Sequence, residues 1–221
     1  MRIFIGVDPR DQVSFNVLQW SIVRRSSRPV AICPLVLPQL RFGRQGLTQF
    51  TYTRYLVPML CGYQGKALFL DSDMLCLGDI TELFSFDFEE PVAVVKNKER
   101  FEWPSLMMFN TQYCTNLTKD WLEDENNHPQ SFDWARGVAE LPSEWNHCVG
   151  YDEPRLDAKL VHFTSGTPGF KERRACEYSR EWFAERESMN SQVSWLEIHG
   201  GSVHRDKVLA ELWPQSQRKQ P

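Results

Sequence analysis

Two carboxylates, Asp71 and Asp73, flank Ser72 at the end of a short apolar run, 67–70. In an extended chain, residues two apart point the same way, so both carboxylates project from one side of a strand's end. The C-terminal ends of strands are where open α/β sheets hold their ligands. Two like charges beside apolar chain are costly unless something positive joins them. A divalent cation with hard oxygen ligands, itself carrying a phosphate, meets that need. Asp-x-Asp also occurs in ordinary turns, but the order of parts here is more specific. A hydrophobic strand precedes the pair, Met74, Leu75 and Leu77 follow it, and Asp79-Ile80-Thr81-Glu82 then reads as a capping box opening a helix.

Two further residues are candidates for the same site. His162 lies near the end of a strand predicted over 159–164, ahead of a loop containing Gly166 and Gly169. Such a loop offers backbone N–H groups to a phosphate, and an imidazole completes a two-carboxylate metal site. Arg54 shares one face of a helix predicted over 48–60 with Phe50 and Val57. Its guanidinium either faces the site or snorkels over the core as a surface charge. The remaining histidines (128, 147, 199, 204) lie in polar stretches and carry little signal. No P-loop, Gly-x-Gly-x-x-Gly or Gly-x-Ser-x-Gly pattern is present, so those chemistries have no support.

The elements that must position these residues follow from periodicity. A strand over 2–7, a helix over 12–25 with Phe15, Leu18 and Ile22 at helical spacing, and a strand over 30–37 predict a parallel crossover at the start of the chain. Pro34 and Pro38 make the second strand irregular or an edge, and Pro58 kinks or ends the helix over 48–60. Further strands are expected over 91–96 and 105–110. Helices are expected near 81–84, from Thr118, over 172–186 and weakly over 205–213, before a polar, disordered tail. The organisation expected is one α/β domain over 1–190 with a helical appendage and tail over 191–221.

Composition bounds the function. The 221 residues carry a net charge of -4 with 42% hydrophobic and 13% aromatic content, and the pI is about 5.8, so no broad basic face for nucleic acid is implied. No apolar run approaches the roughly 20 residues that span a bilayer, and residues 1–6 are too short for a signal segment. The six cysteines (33, 61, 76, 114, 148, 176) form no Cys-x-x-Cys pair, and Cys33, Cys61 and Cys76 sit among apolar neighbours as buried free thiols do. A reducing, cytoplasmic location is the simplest expectation.

Taken jointly, several stretches resemble one family. FLDSDMLCLGDITELF is similar to the Asp-x-Asp segment of nucleotide-sugar glycosyltransferases with the GT-A fold, and most resembles glycosyltransferase family 8, the glycogenin-like and lipopolysaccharide galactosyltransferase-like group. IFIGVDPRD resembles the first strand and its nucleotide-binding turn, and TYTRYLVPML the helix bearing an arginine before that segment. WPSLMMFN resembles a central strand, LPSEWNHCVG a loop on the acceptor side, and KLVHFTSGTPGF a late phosphate-binding loop.

The resemblance implies a Rossmann-like, mixed and mostly parallel sheet flanked by helices. It also implies a metal-dependent transferase moving a sugar, with retention, from a UDP-linked donor to a glycan or other hydroxyl acceptor. Asp71, Asp73 and His162 would hold Mn²⁺ or Mg²⁺. Val7 and Asp8 would contact base and ribose, Arg54 the diphosphate or donor sugar, and Ser72, Gly166 and Thr167 would complete the donor contacts. Asp133 is the nearest acidic residue to the family's acidic acceptor-side segment. Trp103-Pro104-Ser105 stands where the family has Asn-Ala-Gly, and Thr167-Pro168 where it has a phosphate-binding lysine, for which Lys171 is a substitute. Two alternatives are weighed. A haloacid-dehalogenase-type phosphatase also ends a strand in Asp-x-Asp, but normally near the N-terminus. A non-catalytic sugar-nucleotide or glycan-binding protein would keep the fold without turnover.

Overall fold

The computed structural model describes residues 1–217, with side chains described through Glu211. The chain forms two compact units, 1–186 and 187–221. The first contains strands β1 (Arg2–Val7), β2 (Ala31–Val36), β3 (Lys66–Leu70), β4 (Met74–Cys76), β5 (Val92–Val94), β6 (Leu106–Asn110), β7 (Val138–Glu140), β8 (His147–Cys148) and β9 (Leu160–His162). Its helices are α1 (Gln12–Arg25), α2 (Val57–Leu60), α3 (Lys119–Glu123) and most of α4 (Ser179–Asn190). The second unit contains α5 (Trp195–His199), opened by a capping box at Ser194, and α6 (Arg205–Gln217). α6 runs past the expected end at 213, so 214–217 of the expected disordered tail are helical, and 218–221 lie outside the described residues.

The main sheet has the order β2-β1-β3-β6-β5-β7. β6 runs antiparallel to both of its neighbours and every other pair is parallel, which leaves one reversed strand among six. Side chains alternate between faces, and here both faces are covered, so the strands read as continuous apolar runs. Phe4, Phe69, Met107 and Phe109 pack toward the 50–57 segment and Trp134. Ile3, Ile5, Leu68, Leu70 and Met108 pack toward Leu18 and Ile22 of α1. A second sheet, β4-β9-β8, pairs β4 antiparallel to β9.

Several elements differ from expectation. The helix over 48–60 is instead a run of turns: Thr51 N donates to Thr48 O, a 3₁₀ turn covers Thr53–Leu56, and α2 follows. Pro58 sits in the first turn of α2, where its missing N–H is not needed, so it opens the helix rather than ending it. The capping box at Asp79 opens a 3₁₀ helix, Ile80–Ser85. Asp79 accepts from Thr81 N, but Glu82 pairs with Lys159 instead of closing the box. The late helix begins at Ser179, not 172, after Tyr178 adopts a left-handed φ of 57°. Cys33 is exposed rather than buried, because β2 is the edge strand; Cys61, Cys76, Cys114 and Cys148 are buried.

Trp182 fixes the start of α4 and the loop that follows β9. It is fully buried, and a Cβ added at Gly169 would lie 3.1 Å from its ring. Trp182→Ala is expected to destabilise the protein by roughly 3 kcal/mol or more, the usual cost of deleting a large core side chain. Urea unfolding measures this; a loss below about 1 kcal/mol would mean the loop and helix stand without that anchor.

Candidate active site

Asp71 follows the last residue of β3, and its backbone N–H donates to Ser105 O at 2.9 Å. Asp73 immediately precedes β4. The antiparallel register sets Met74 opposite His162, and Phe163 N donates to Asp73 O at 2.9 Å. His162 therefore reaches the carboxylates through a short second sheet. It does so from a strand antiparallel to β4, not from a parallel strand of the main sheet. One ligand atom from each of Asp71, Asp73 and His162 lies within 4.8 Å of the others. His162 Nε2 is 3.4 Å from Asp73 Oδ1. Ser72 is buried between the two aspartates.

Arg54 is 6% exposed, which rules out a surface charge. Its Nε donates to Phe50 O at 3.1 Å, Nη1 to Pro104 O at 2.7 Å and Nη2 to Asp71 Oδ2 at 3.4 Å. The guanidinium also lies over the rings of Phe50 and Phe69. Phe50 in turn covers Gly6 of β1, where a Cβ would come within 2.4 Å of the ring. Glycine at that position thus lets the Phe50–Arg54 layer sit directly on the sheet and aim at Asp71.

The charges set the protonation. Burial pushes the Asp71 carboxyl up to about 7, against the pull of Arg54, and repulsion from Asp73 adds to the rise. Burial alone would depress the His162 imidazole, but the Asp73 carboxylate outweighs it and holds the group well above its ordinary value. A third carboxylate, Glu102, is 3% exposed, and its Oε2 lies 3.2 Å from His162 Nδ1. Burial raises it too, with His162 pulling the other way.

The other expected residues fall in three places. Val7 is buried at the end of β1, and Asp8 is held below its ordinary pKa first by its hydrogen bond to Arg10. Asp11 caps α1, and Ser14 beside it shares a 3.0 Å hydrogen bond with Thr167, which brings the 8–11 turn against the late loop. Thr167 is buried and its hydroxyl is engaged there, while the N–H of Gly166 donates to Phe163 O at 2.7 Å. Gly166 has φ of 104°, a conformation that favours glycine, so the loop turns sharply there. Arg173, not Lys171, stands beside it: its Nε donates to Ser165 O, and it lines a cavity of about 550 Å³ with Gly150, Tyr151, Phe163 and Gly166. Asp133 is not brought to the cluster; its carboxylate is exposed and lines a separate cavity with Trp121, His128 and Trp134.

Sequence reasoning missed Glu102 and Arg173, which carry no motif, and undervalued His147. That histidine is buried, 3.1 Å from Glu177 at Nε2 and 3.9 Å from Asp152 at Nδ1.

Comparison with known proteins identifies the family and the fold. The glycosyl transferase family 8 pattern matches residues 37–147. Protein CDI of Arabidopsis thaliana is 30% identical over 238 aligned positions, spanning 86% of this chain and 88% of that protein. Among solved structures, galactosyltransferase LgtC in complex with donor and acceptor sugar analogs superposes with a TM-score of 0.64 at 13% identity, over 89% of this chain and 99% of that one. Glycosyltransferase GlyE of Streptococcus pneumoniae TIGR4 gives 0.63 at 18% identity, over 100% and 65%. The bifunctional glycosyltransferase WbbM gives 0.68 at 16% identity, over 84% and 49%. The chain thus spans about half the length of WbbM and just under two thirds of GlyE. At these identities the structures show a shared fold, the GT-A fold, and the phosphatase alternative falls with the family match. The chain belongs to glycosyl transferase family 8 and is a glycosyltransferase.

Proposed function

We propose that the protein transfers a sugar from a nucleotide-diphosphate donor, UDP-linked, to a hydroxyl of a glycan or other acceptor, with retention and with a divalent cation, Mn²⁺ or Mg²⁺. One observation carries the reading. Asp71 Oδ1 and Asp73 Oδ1 are buried with no well-aligned hydrogen bond, Asp71 Oδ1 facing only Arg54 Nη2 at 3.1 Å and Asp73 Oδ1 only His162 Nε2 at 3.4 Å, and one ligand atom of each of the three residues Asp71, Asp73 and His162 lies within 4.8 Å of the others. Such oxygens are costly in a folded protein unless a cation satisfies them. Two carboxylates and an imidazole are a donor set that suits Mn²⁺ or Mg²⁺. The structure of LgtC in complex with donor and acceptor sugar analogs supports a two-substrate site in the shared fold. A cytosolic setting belongs to the same reading, supported by six free thiols, four of them buried.

In this reading Asp71, Asp73 and His162 hold the cation. When bound, it supplies Lewis-acid neutralisation of the departing diphosphate. Arg54 fixes Asp71 and the Pro104 carbonyl in one position, so the carboxylate is aimed before substrate arrives. The Val7–Asp8 turn takes the nucleoside, and Arg173 at the Gly166 loop adds positive charge near the diphosphate. The acceptor hydroxyl attacks the anomeric carbon on the face the diphosphate leaves. The new C–O bond forms as the old one breaks, and the acceptor's proton passes to the leaving phosphate oxygen. The test is donor hydrolysis across a panel of UDP-sugars with and without Mn²⁺. Metal-dependent release of UDP is expected from one or more donors; binding of a donor with no release under any metal would favour the binding-only alternative.

The protonation states give a pH prediction. Asp71 and His162 both have folded-state pKa values raised above their unfolded values. Between the two values the unfolded chain binds fewer protons than the folded one, so stability falls as pH rises. For Asp71 the window runs from about 4 to about 7, and for His162 it extends upward from about 6.5. A cation must displace those same protons, so it binds better as pH rises. Melting curves between pH 5.5 and 8.5 should therefore show the gain from Mn²⁺ growing toward alkaline pH. A gain that is flat with pH would contradict this protonation scheme.

A further inference from the structure

We propose that Glu102 is a positioning residue for the cation site: it holds the Nδ1 side of His162 so that Nε2 faces Asp71 and Asp73. The inference rests on the metal-binding reading above and names a residue which that reading does not use. Opposite edges of one imidazole meet two different carboxylates, Nε2 at 3.4 Å from Asp73 Oδ1 and Nδ1 at 3.2 Å from Glu102 Oε2. Glu102 is the nearest group to Nδ1 and meets it as an ion pair; Thr164 Oγ1 at 3.5 Å and Cys148 Sγ at 3.8 Å share long hydrogen bonds with the same nitrogen. A hydroxyl or thiol can turn its own hydrogen toward the ring, whereas an ionised carboxylate only accepts. The nearest neighbour is therefore the one that fixes the proton on Nδ1 and leaves the Nε2 lone pair for a cation. A carboxylate behind a metal-bound imidazole orients the ring and raises its basicity.

Glu102 is braced for this task. It sits in the 3₁₀ helix Arg100–Ser105, 3% exposed, and Oε1 is buried without a partner. Its carbonyl accepts from Ser105 Oγ at 2.5 Å, and Asn146 Nδ2 donates to Ser105 Oγ at 2.9 Å and to Asn97 Oδ1 at 3.0 Å. Trp103 Nε1 donates to Asn97 O. The same helix presents Pro104 O to Arg54. One short segment thus supports Asp71 through Arg54 and His162 through Glu102. Burying a carboxylate this close to two aspartates is unfavourable unless it acts on something cationic or cation-bound.

The test is Mn²⁺ titration, read by the electron paramagnetic resonance of the free ion, in the full chain. Glu102→Ala should raise the Kd for Mn²⁺ by about 10- to 100-fold, the range for loss of such a partner. Glu102→Gln keeps an acceptor oxygen and should fall between Ala and wild type; it also carries the test if Ala does not fold. In a His162→Ala background the same substitutions should change the Kd less than about twofold, because Glu102 acts through the imidazole. Wild-type affinity in a folded Glu102→Gln and Glu102→Ala pair would overturn the proposal, and so would an equal loss in the His162→Ala background. Glu102, Cys148 and His162 also lie within 4.8 Å of one another. If Cys148→Ser weakens Mn²⁺ as much as Glu102→Ala, the cation sits on the Nδ1 side and the proposal fails. No Mn²⁺ binding by wild type would sink the metal reading itself, an outcome distinct from all of these.

Discussion

Asp73→Asn is expected to abolish Mn²⁺-dependent donor turnover, by about 10³-fold or more, and to leave the fold intact. A cation that contributes several kcal/mol to leaving-group stabilisation is worth about that factor, at 1.36 kcal/mol per decade. The substitution removes one of three protein ligands while nearly preserving shape. Structure should survive because relief of the repulsion toward Asp71 and Glu102 offsets the lost attraction to His162. Asp73 opposes ionisation of both Asp71 and Glu102. Its own side chain is 30% exposed, so the amide finds water. Steady-state assay with saturating Mn²⁺, beside a thermal melt in EDTA, separates the two effects. Turnover within tenfold of wild type would remove Asp73 from the ligand set.

Arg54 variants should show the second large effect, divided between stability and catalysis. Arg54→Ala leaves the Asp71 carboxylate buried without its cation and removes the side-chain donor to the Pro104 carbonyl, while the Phe50 carbonyl keeps the backbone N–H of residue 54. Breaking a buried pair by removing one partner costs about 3–5 kcal/mol. Arg54→Lys retains the charge but replaces a planar fork making three bonds with a single ammonium. We expect the lysine variant to fold, with turnover lower by about 10²-fold, the scale of effect for a small misplacement of reacting groups. Urea unfolding and kcat measured on both variants test the division. A lysine variant with wild-type kcat would mean that Arg54 contributes charge alone.

The parts of the fold legible in the sequence were those that local chemistry decides. Arg2–Val7 and Gln12–Arg25 follow from an apolar run and from helical spacing, each closed by residues that can do little else. The grouping of Asp71, Asp73 and His162 was legible because the acidic pair ends a buried strand, and a histidine ending a later strand before a Gly-containing loop can complete such a pair. What failed depended on distant partners. The 48–60 stretch has helical periodicity, yet Arg54 and Thr51 satisfy backbone and side-chain groups in a tighter path. Glu102 looks like any surface glutamate until the Asn146 network and His162 close around it. His147 lies in a polar stretch, and Glu177, thirty residues on, is the nearer of two carboxylates that face its buried ring, with Asp152 the other. Cys33 shares the apolar neighbours of a core thiol but lies on the sheet's open edge.

On the proposed function, Asp71, Asp73 and His162 form a cation site that holds the diphosphate of a nucleotide. Calorimetric titration of UDP into wild type at pH 8, once with Mn²⁺ and once with EDTA, tests it most directly. The expected result is clear binding heat with Mn²⁺, loss of at least about tenfold in affinity with EDTA, and a much smaller metal effect in Asp73→Asn and His162→Ala. Equal UDP affinity with Mn²⁺ and with EDTA in the wild type, or an undiminished Mn²⁺ effect in both variants, would contradict it.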